Sequence, residues 1–458
     1  MGRGLGGARL GERSRRGRAH DGGMGNERAV VVGGSIAGLL TAAVLRRWFD
    51  EVVVLDRDEL PTEAVVRKAV PQGRHAHALL ARGNELFEDL VPGFRAEMVA
   101  RGAVVNDQHA DVLWYNDRHL LKRAPSTLAG ILASRPLIES VLRHKVGELC
   151  GIVAKANTPV EGLLIDGDRL TGVRTPEGEL AADLVVDATG RSNRGPTWLA
   201  ELGYAAPPED VVQAGIVYSS REYRREPGAE DFVGIVSGLH PDNRFGTGTA
   251  AMEGDRWIVT LIGMQDNPPP TESGAFEDHA ARVDGPELHR LVRKAESLTE
   301  AAGFRVGSSV RRRYEKAARL PEGFIAIGDS LCFVNPVYGQ GMTLAALAAQ
   351  WFGTCLEAGQ DQLTKRYFDG VTKFVDQAWS MSVGGDLRFP DVVGERTRSG
   401  ALINAYLGRL LRVASVDAVV GRRFLDVANF LSKPESLFSP SMLFRVVRQY
   451  RRAAEPRY

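Results

Sequence analysis

Residues 29–56 read AVVVGGSIAGLLTAAVLRRWFDEVVVLD, and this stretch decides the fold class. Ala29–Val32 is a short apolar run, and Gly33-Gly34-Ser35-Ile36-Ala37-Gly38 is a glycine-rich turn. Leu39, Leu40, Ala43, Val44 and Trp48 then repeat at helical spacing before a second apolar run, Val52–Leu55, which ends at Asp56. Strand, tight turn, helix and strand make a βαβ unit with two parallel strands. A pyrophosphate needs close backbone approach, which glycine permits, and a helix N-terminus to receive its charge. Gly33 would make the turn, Gly38 would let helix and strand pack, and Asp56 would accept hydrogen bonds from ribose hydroxyls. Ser35 stands where the usual pattern has its middle glycine; it is small, and its hydroxyl is itself a phosphate donor. The expectation is a dinucleotide site, against the plainer reading of a glycine turn that binds no nucleotide.

Working outward, 458 residues exceed what one core usually supports. Hydrophobic residues at 44% and charged residues at 25% exclude a disordered, collagenous or coiled-coil chain. Fifty-eight Lys and Arg against 57 Asp and Glu leave a net charge of +1, so no global field recommends nucleic acid as a partner. Cys150, Cys332 and Cys355 form no CxxC pair, which argues against a disulfide framework or structural zinc. Residues 1–27 are rich in Gly and Arg without a following apolar run. A disordered basic tail is expected there, with Met24 as an alternative start and the cytoplasm as the compartment. The uncharged stretch Ser330–Leu356 is long enough to span a bilayer, but Asn335, Pro336, Gly339, Gln340 and Gly341 break its first half. It reads as a buried loop followed by a core helix.

Between these landmarks, residues 61–84 read as irregular and Arg135–Leu149 as a helix with Leu137, Val141, Leu142 and Val146 on one side. Gly162–Ile165, Leu170–Thr175 and Leu184–Val186 read as three short strands, the last ending in Asp187-Ala188-Thr189-Gly190. Val212–Tyr218, Phe232–Val236 and Trp257–Ile262 suggest an antiparallel sheet and a second domain. Gly246–Ala251 imitates a glycine motif without helix or acid and is set aside. Phe324–Ile327 returns to a buried-strand pattern ending in Gly328-Asp329, and from about residue 391 the pattern is helical, with Leu402, Tyr406, Leu410 and Val413 in phase.

Six motifs stand in order along the chain: GGSIAGLL, VRKAVPQGRHAHALL, SRPLIESVLR, ADLVVDATGRSNR, GDSLCFVNPVYGQGMTLAA and GGDLRFP. Together, over a similarity that extends from about Ala29 to about Arg448, they make the chain similar to flavoprotein monooxygenases of the p-hydroxybenzoate hydroxylase fold. Within that group it looks like actinobacterial FAD-dependent epoxidases acting on polyenes. The resemblance implies a mixed α/β fold: a Rossmann-like FAD-binding domain interleaved with an antiparallel-sheet substrate domain, plus C-terminal helices. The expected divisions are a tail over 1–27, FAD-binding segments over 28–200 and 311–390, a substrate domain over 201–310 and a helical region over 391–458. Gly33, Ser35, Gly38 and Asp56 would hold the pyrophosphate and ribose, and Arg67 would pair with the pyrophosphate. Arg135 would face the cofactor and Asp329 would bond the ribityl chain. Pro336 and Gly339, Gln340, Gly341 and Met342 would pass beside the flavin ring, with a helix N-terminus aimed at its pyrimidine end. Thr189 departs from the aspartate of aromatic hydroxylases, so contacts to NADPH do not carry over to that segment.

The function this implies is insertion of one oxygen atom from O2 through a flavin C4a-hydroperoxide, with epoxidation of a small apolar alkene or polyene first in line. Such a step needs no side-chain base, and no catalytic acid or base is assigned. The electron donor would be NAD(P)H or a source of reduced flavin, a separate reductase included. The rivals are an aromatic hydroxylase on the same fold, an oxygen-independent prenyl-chain reductase, and a FAD-binding protein without turnover. His75 and His77 lack a third ligand, so hydrogen bonding or packing is preferred to a metal site. Cys332 reads as a small apolar filler. No WxWxIP arrangement is present among the six tryptophans, which weighs against a halogenase. Residues 437–452 mix Leu443, Phe444, Val446 and Val447 with Arg445, Arg448, Arg451 and Arg452. Packing with solvated arginines is preferred there to contact with an anionic membrane surface.

Overall fold

The computed structural model describes residues 27–192, 194–264 and 266–453. The tail expected over 1–27 and the alternative start at Met24 lie, Glu27 apart, outside them. Strand Arg28–Val32 pairs in parallel with Glu51–Leu55 on one side and Leu184–Asp187 on the other. Ile152–Lys155 and Phe324–Ala326 extend the sheet to five parallel strands. Its central strands are near-continuous Val, Ile and Leu because they are buried on both faces, whereas the edge strand Ile152–Lys155 is largely exposed. Helix Ile36–Leu45 is buried at nine of its ten positions. It shares a core with the helices Arg135–Gly147 and Gly341–Glu357. The uncharged stretch from Ser330 is indeed an irregular segment followed by this last core helix. Among the described residues no helix is long and apolar enough to cross a membrane.

The three short strands expected after residue 160 do not stay together. Gly162–Asp166, Arg169–Thr175 and Gly178–Ala181 form an antiparallel meander, whereas Leu184–Asp187 leaves to join the parallel sheet. The turn at Gly167, with φ at +58°, uses the backbone region that favours glycine.

A seven-stranded sheet makes the second layer, in the order Ala302–Val306, Ile216–Arg224, Arg256–Met264, Gly246–Met252, Gly234–Ser237, Val112–Asn116 and His119–Leu120. Strand Gly234–Ser237 pairs with Val112–Asn116 in parallel; the other pairings are antiparallel. The set-aside glycine run at 246–251 is itself a strand of this sheet. The sheet also recruits residues 112–120 from the first part of the chain, so the two layers interleave more than sequential divisions suggest. One face carries Leu113, Tyr115, Ile235, Val259 and Leu261 into a core with Phe276 and Leu288. The other face looks toward the parallel sheet. Residues 61–84 hold a short turn at Pro71–Arg74, a strand at Ala78–Leu79 and the start of helix Ala81–Leu90.

Helices Arg398–Ala414, Ala418–Ala428 and Pro440–Gln449 close the chain around a small core of Leu410, Val413, Leu425, Met442 and Val446. Two details go beyond what the helical pattern alone gives. Leu402, in phase with Leu410 and Val413, points outward and is 74% exposed. In the last helix only Met442 and Val446 pack inward, while Leu443, Phe444 and Val447 face out.

Candidate functional site

The glycine turn after the first strand has no room for side chains. Gly33 sits at φ +115°, and a Cβ there would lie 2.3 Å from the Ala188 carbonyl oxygen. A Cβ on Gly38 would lie 1.8 Å from the Gly33 carbonyl oxygen, which is what brings helix and strand together. Ser35 caps helix Ile36–Leu45 in extended backbone, yet its side chain makes no capping bond. The N–H groups of the first turn are therefore left for another partner.

The Ser35 hydroxyl instead donates to Glu139 Oε1 at 2.7 Å and accepts from Arg135 Nη2 at 3.1 Å. Arg135 Nε donates to the same carboxylate at 2.8 Å. Glu139 is one helical turn beyond Arg135, on a helix capped by Ser134, whose hydroxyl accepts the Leu137 N–H at 3.2 Å. Burial pushes the Glu139 carboxyl up, but Arg135, Ser35 and Arg67 outweigh it and hold it below the ordinary range. Asp56 accepts the Gly34 N–H at 2.8 Å and pairs with Arg67 at 2.7 Å. Arg67 is buried among Asp56, Asp58 and Glu139, and its Nε donates to the Glu59 carbonyl. Burial disfavours that guanidinium's charge, and Asp56, with Glu139 and Asp58, more than restores it.

Farther along, Gly328 at φ +65° and half-buried Asp329 end the outer parallel strand. Burial raises the Asp329 carboxyl against the pull of Arg191 and Arg135. Asn335 caps a short turn, Pro336–Tyr338, by accepting the Val337 N–H at 3.1 Å, and Gly339 at φ +66° leads into helix Gly341–Glu357. That helix, too, has no side-chain cap, so its leading N–H groups are open.

One cavity of about 840 Å³ joins these places. Ser35, Arg135, Asp329, Pro336, Gly339, Gly341 and Met342 line it; Gly33, Gly38, Asp56, Arg67 and Gln340 do not. Gly33, Gly38 and Asp56 shape its wall from behind. Arg67 is engaged by carboxylates. Gln340 turns away, its Nε2 at 3.4 Å from the Ala428 carbonyl oxygen.

The seven-stranded sheet forms the far wall, with Trp114, Val236, Tyr218, Thr260 and Ile262 beside Phe304 and Phe333. His75 is buried between Tyr218 and Phe304, with ring centroids 5.8 and 5.1 Å away. Its Nδ1 lies 2.7 Å from the Ser220 hydroxyl, which continues to Thr260. Burial brings His75 down to about 4 and His77 to about 3, so both are neutral near pH 7. Among the described residues no group of three or more His, Cys, Asp or Glu is placed to hold a metal. Cys332 is buried, its thiol pushed up to about 12 by that burial, and is not a ready nucleophile.

Three residues beside the cavity escaped the sequence reading. Glu139 is one. The others are Tyr338, which lines the cavity, and Asp386, whose Oδ1 accepts from Asn335 Nδ2 at 2.8 Å and lies 3.4 Å from the Tyr338 hydroxyl. Asp386 Oδ2 has no hydrogen-bond partner among the described residues, and burial raises the carboxyl to about 6. Gly385 makes this contact possible, because a Cβ there would sit 2.0 Å from the Tyr338 oxygen. Both Asp386 and Tyr338 fall inside quoted motifs, GGDLRFP and NPVYGQG, but nothing in either motif says that they meet. Thr189 is tied to Asp187 through its hydroxyl and its N–H, at 2.6 and 2.9 Å.

No family model matches the chain. It is 32% identical over 423 residues to Protein Rv3254 of Mycobacterium tuberculosis (strain ATCC 25618 / H37Rv), covering 87% of this chain and 88% of that protein. Among solved structures, the flavin-dependent brominase Bmp2 superposes with a TM-score of 0.66 at 16% identity, over 93% of this chain and 99% of Bmp2. PqsL of Pseudomonas aeruginosa, described as a probable FAD-dependent monooxygenase, gives 0.60 at 18% identity, over 80% and 98%. CmlS, a flavin-dependent halogenase, gives 0.62 at 17%, over 89% and 77%. At these identities the shared property is the fold, a mixed α/β architecture used by flavin-dependent monooxygenases and halogenases alike.

Proposed function

The chain belongs to one family with Protein Rv3254 of Mycobacterium tuberculosis, and from there we propose that it is a FAD-dependent monooxygenase acting on a small apolar substrate, with epoxidation of an alkene or polyene as its reaction. The supporting observation is one continuous cavity. It runs from the glycine turn, past Asp329 and the Pro336–Met342 segment, to an aromatic wall on a separate sheet.

The residues fit a flavin dinucleotide. Gly33 and Gly38 leave the backbone bare where a pyrophosphate must approach, and two uncapped helix N-termini open on the same space. Ser35 and Arg135 would meet the phosphates, with Glu139 keeping Arg135 in position. Asp329 would accept hydroxyls of the ribityl chain, and the backbone of Gly339–Met342 would border the ring. When bound and reduced, the cofactor supplies the activation of O2 and the transfer of one oxygen atom. The protein's part is to exclude water and hold the substrate against Trp114, Phe304 and Phe333. Neutral His75 and His77 add no charge to that end of the cavity. NAD(P)H or a reduced-flavin source would supply the electrons.

Aromatic hydroxylation is the second reading, and Tyr338 with Asp386 favours it. A phenol gains from a proton acceptor within reach, and Tyr338, which lines the cavity, connects it to the Asp386 carboxylate behind. The test begins with colour: the purified full chain should be yellow and release FAD on denaturation. Reduced protein incubated with 18O2 and either polyenes or phenols should then yield a product with one labelled oxygen atom. Label only in phenolic products would transfer the assignment to hydroxylation. A colourless protein that ignores added FAD would end both readings.

A further inference from the structure

The charge of this chain is divided unevenly. Residues 398–458 carry eleven Arg and Lys against four Asp and Glu, a net of +7, whereas everything before them sums to −6. The acids of this region do little to cancel its surface charge. Asp417 is buried and paired with Arg445, and Asp426 is paired with Arg422. Arg398, Arg409, Arg448, Arg451 and Arg452 are exposed and have no carboxylate partner among the described residues.

Exposed valines are spread along the chain, but the larger exposed apolar side chains follow the same division. Among the described residues every exposed leucine, isoleucine and phenylalanine falls in this region: Leu402, Ile403, Leu431, Leu443 and Phe444. The last helix concentrates them. Met442 and Val446 fix it to the small C-terminal core, and its outer face presents Leu443, Phe444 and Val447, the last two 65% and 77% exposed. Arg448, Arg451 and Arg452 follow directly. A soluble helix normally shows polar groups on its outer side. This one shows large apolar side chains beside unpaired guanidinium groups, the pattern that suits the boundary between lipid headgroups and acyl chains.

We infer that the Pro440–Gln449 helix and the arginines after it form a docking face for an anionic phospholipid surface. Phe444 and Val447 enter the interface while Arg448, Arg451 and Arg452 meet lipid phosphates. The inference is independent of any cofactor. Its occupant is chosen by charge complementarity: a zwitterionic surface offers the apolar half of the match alone, and a second copy of the chain would set these arginines against their own kind.

The experiment is co-sedimentation of the full chain with sucrose-loaded vesicles of phosphatidylcholine alone or with 30 mol% phosphatidylglycerol (about a third anionic lipid). Binding to the anionic vesicles should be at least about tenfold tighter and should weaken at high salt. Phe444→Ser with Val447→Ser should abolish it. Arg448→Gln, Arg451→Gln and Arg452→Gln together should remove the preference for anionic lipid. Unchanged circular-dichroism melting would establish that the variants are folded, as their exposure leads one to expect; for any variant that melts early, Phe444→Tyr serves as the conservative replacement and should retain binding. Equal binding to both vesicle types, or anionic binding that survives the serine pair, overturns the inference. So does a dimer in light scattering that the serine pair dissociates, since the face would then belong to a second copy.

Discussion

Asp386 combines burial with a missing partner, and its carboxyl is shifted accordingly. Its folded value of about 6 lies above the ordinary 3.8, so the folded state holds the proton more tightly than the unfolded one. The stability this contributes is present below about pH 4 and is lost as pH rises through 6, at most ~3 kcal/mol for a shift of about two units. Asp386→Asn should therefore melt higher than wild type at pH 8, with the gap closing toward pH 4; a constant gap across that range would refute the assignment. His75 works in the opposite direction. Its folded value of about 4 is depressed, so its contribution is complete above 6.5 and disappears as pH falls through 4. His75→Asn should flatten the acid limb of a melting-temperature profile. Glu139 should be less forgiving: Glu139→Ala leaves Arg67 and Arg135 short of a buried acceptor and should cost about 3–5 kcal/mol. Chemical denaturation would measure it. At this scale legibility depended on range. Gly33, Gly38 and Gly339 could be read because their constraint is local backbone geometry. The Tyr338–Asp386 contact joins residues far apart in sequence, and neither neighbourhood announces it. Arg67 shows the converse: its presence was legible, but its direction, toward three carboxylates, was not.

The elements were more readable than their partners. The helix beginning at Arg135 carries a serine cap and an in-phase apolar face, and it appears where expected, ending two residues short. Ser134→Ala should lower stability by about 1 kcal/mol through loss of the capping bond to Leu137, which urea unfolding can resolve. Strand Leu184–Asp187 was visible as a strand, but its apolar run does not say which sheet takes it. Only the pairing with Val30 and Val31 on one side and Phe324 and Ile325 on the other does so. Periodicity likewise put Leu402 in phase with a buried stripe; the helix extends past the core, and its first turns have nothing to bury against.

For the molecule as a whole, the cavity exists only because two sheets with different parentage face each other. The parallel sheet supplies the glycine turn and Asp329, and the seven-stranded sheet supplies the aromatic wall. Sequence motifs mark the first surface densely because its glycine turns leave no room for side chains and so constrain the backbone. They mark the second hardly at all, since an apolar wall can be built from many side chains. Substrate choice should accordingly respond to changes on the sheet without loss of the dinucleotide. Trp114→Ala should alter which alkenes are turned over while FAD content stays near that of wild type, which absorbance and product mass spectrometry would follow.

The order of the parallel sheet also has a consequence for how the chain is made. Phe324–Ala326 is the last strand to arrive, yet it seals the edge of Leu184–Asp187, which left the ribosome long before. At 5–20 residues per second that edge stays open for on the order of ten seconds in every round of translation, an apolar rim with unpaired amides in a crowded cell. Nascent chains should therefore lean on chaperones during that interval, and truncation before residue 324 should yield aggregates rather than a smaller flavin-free domain.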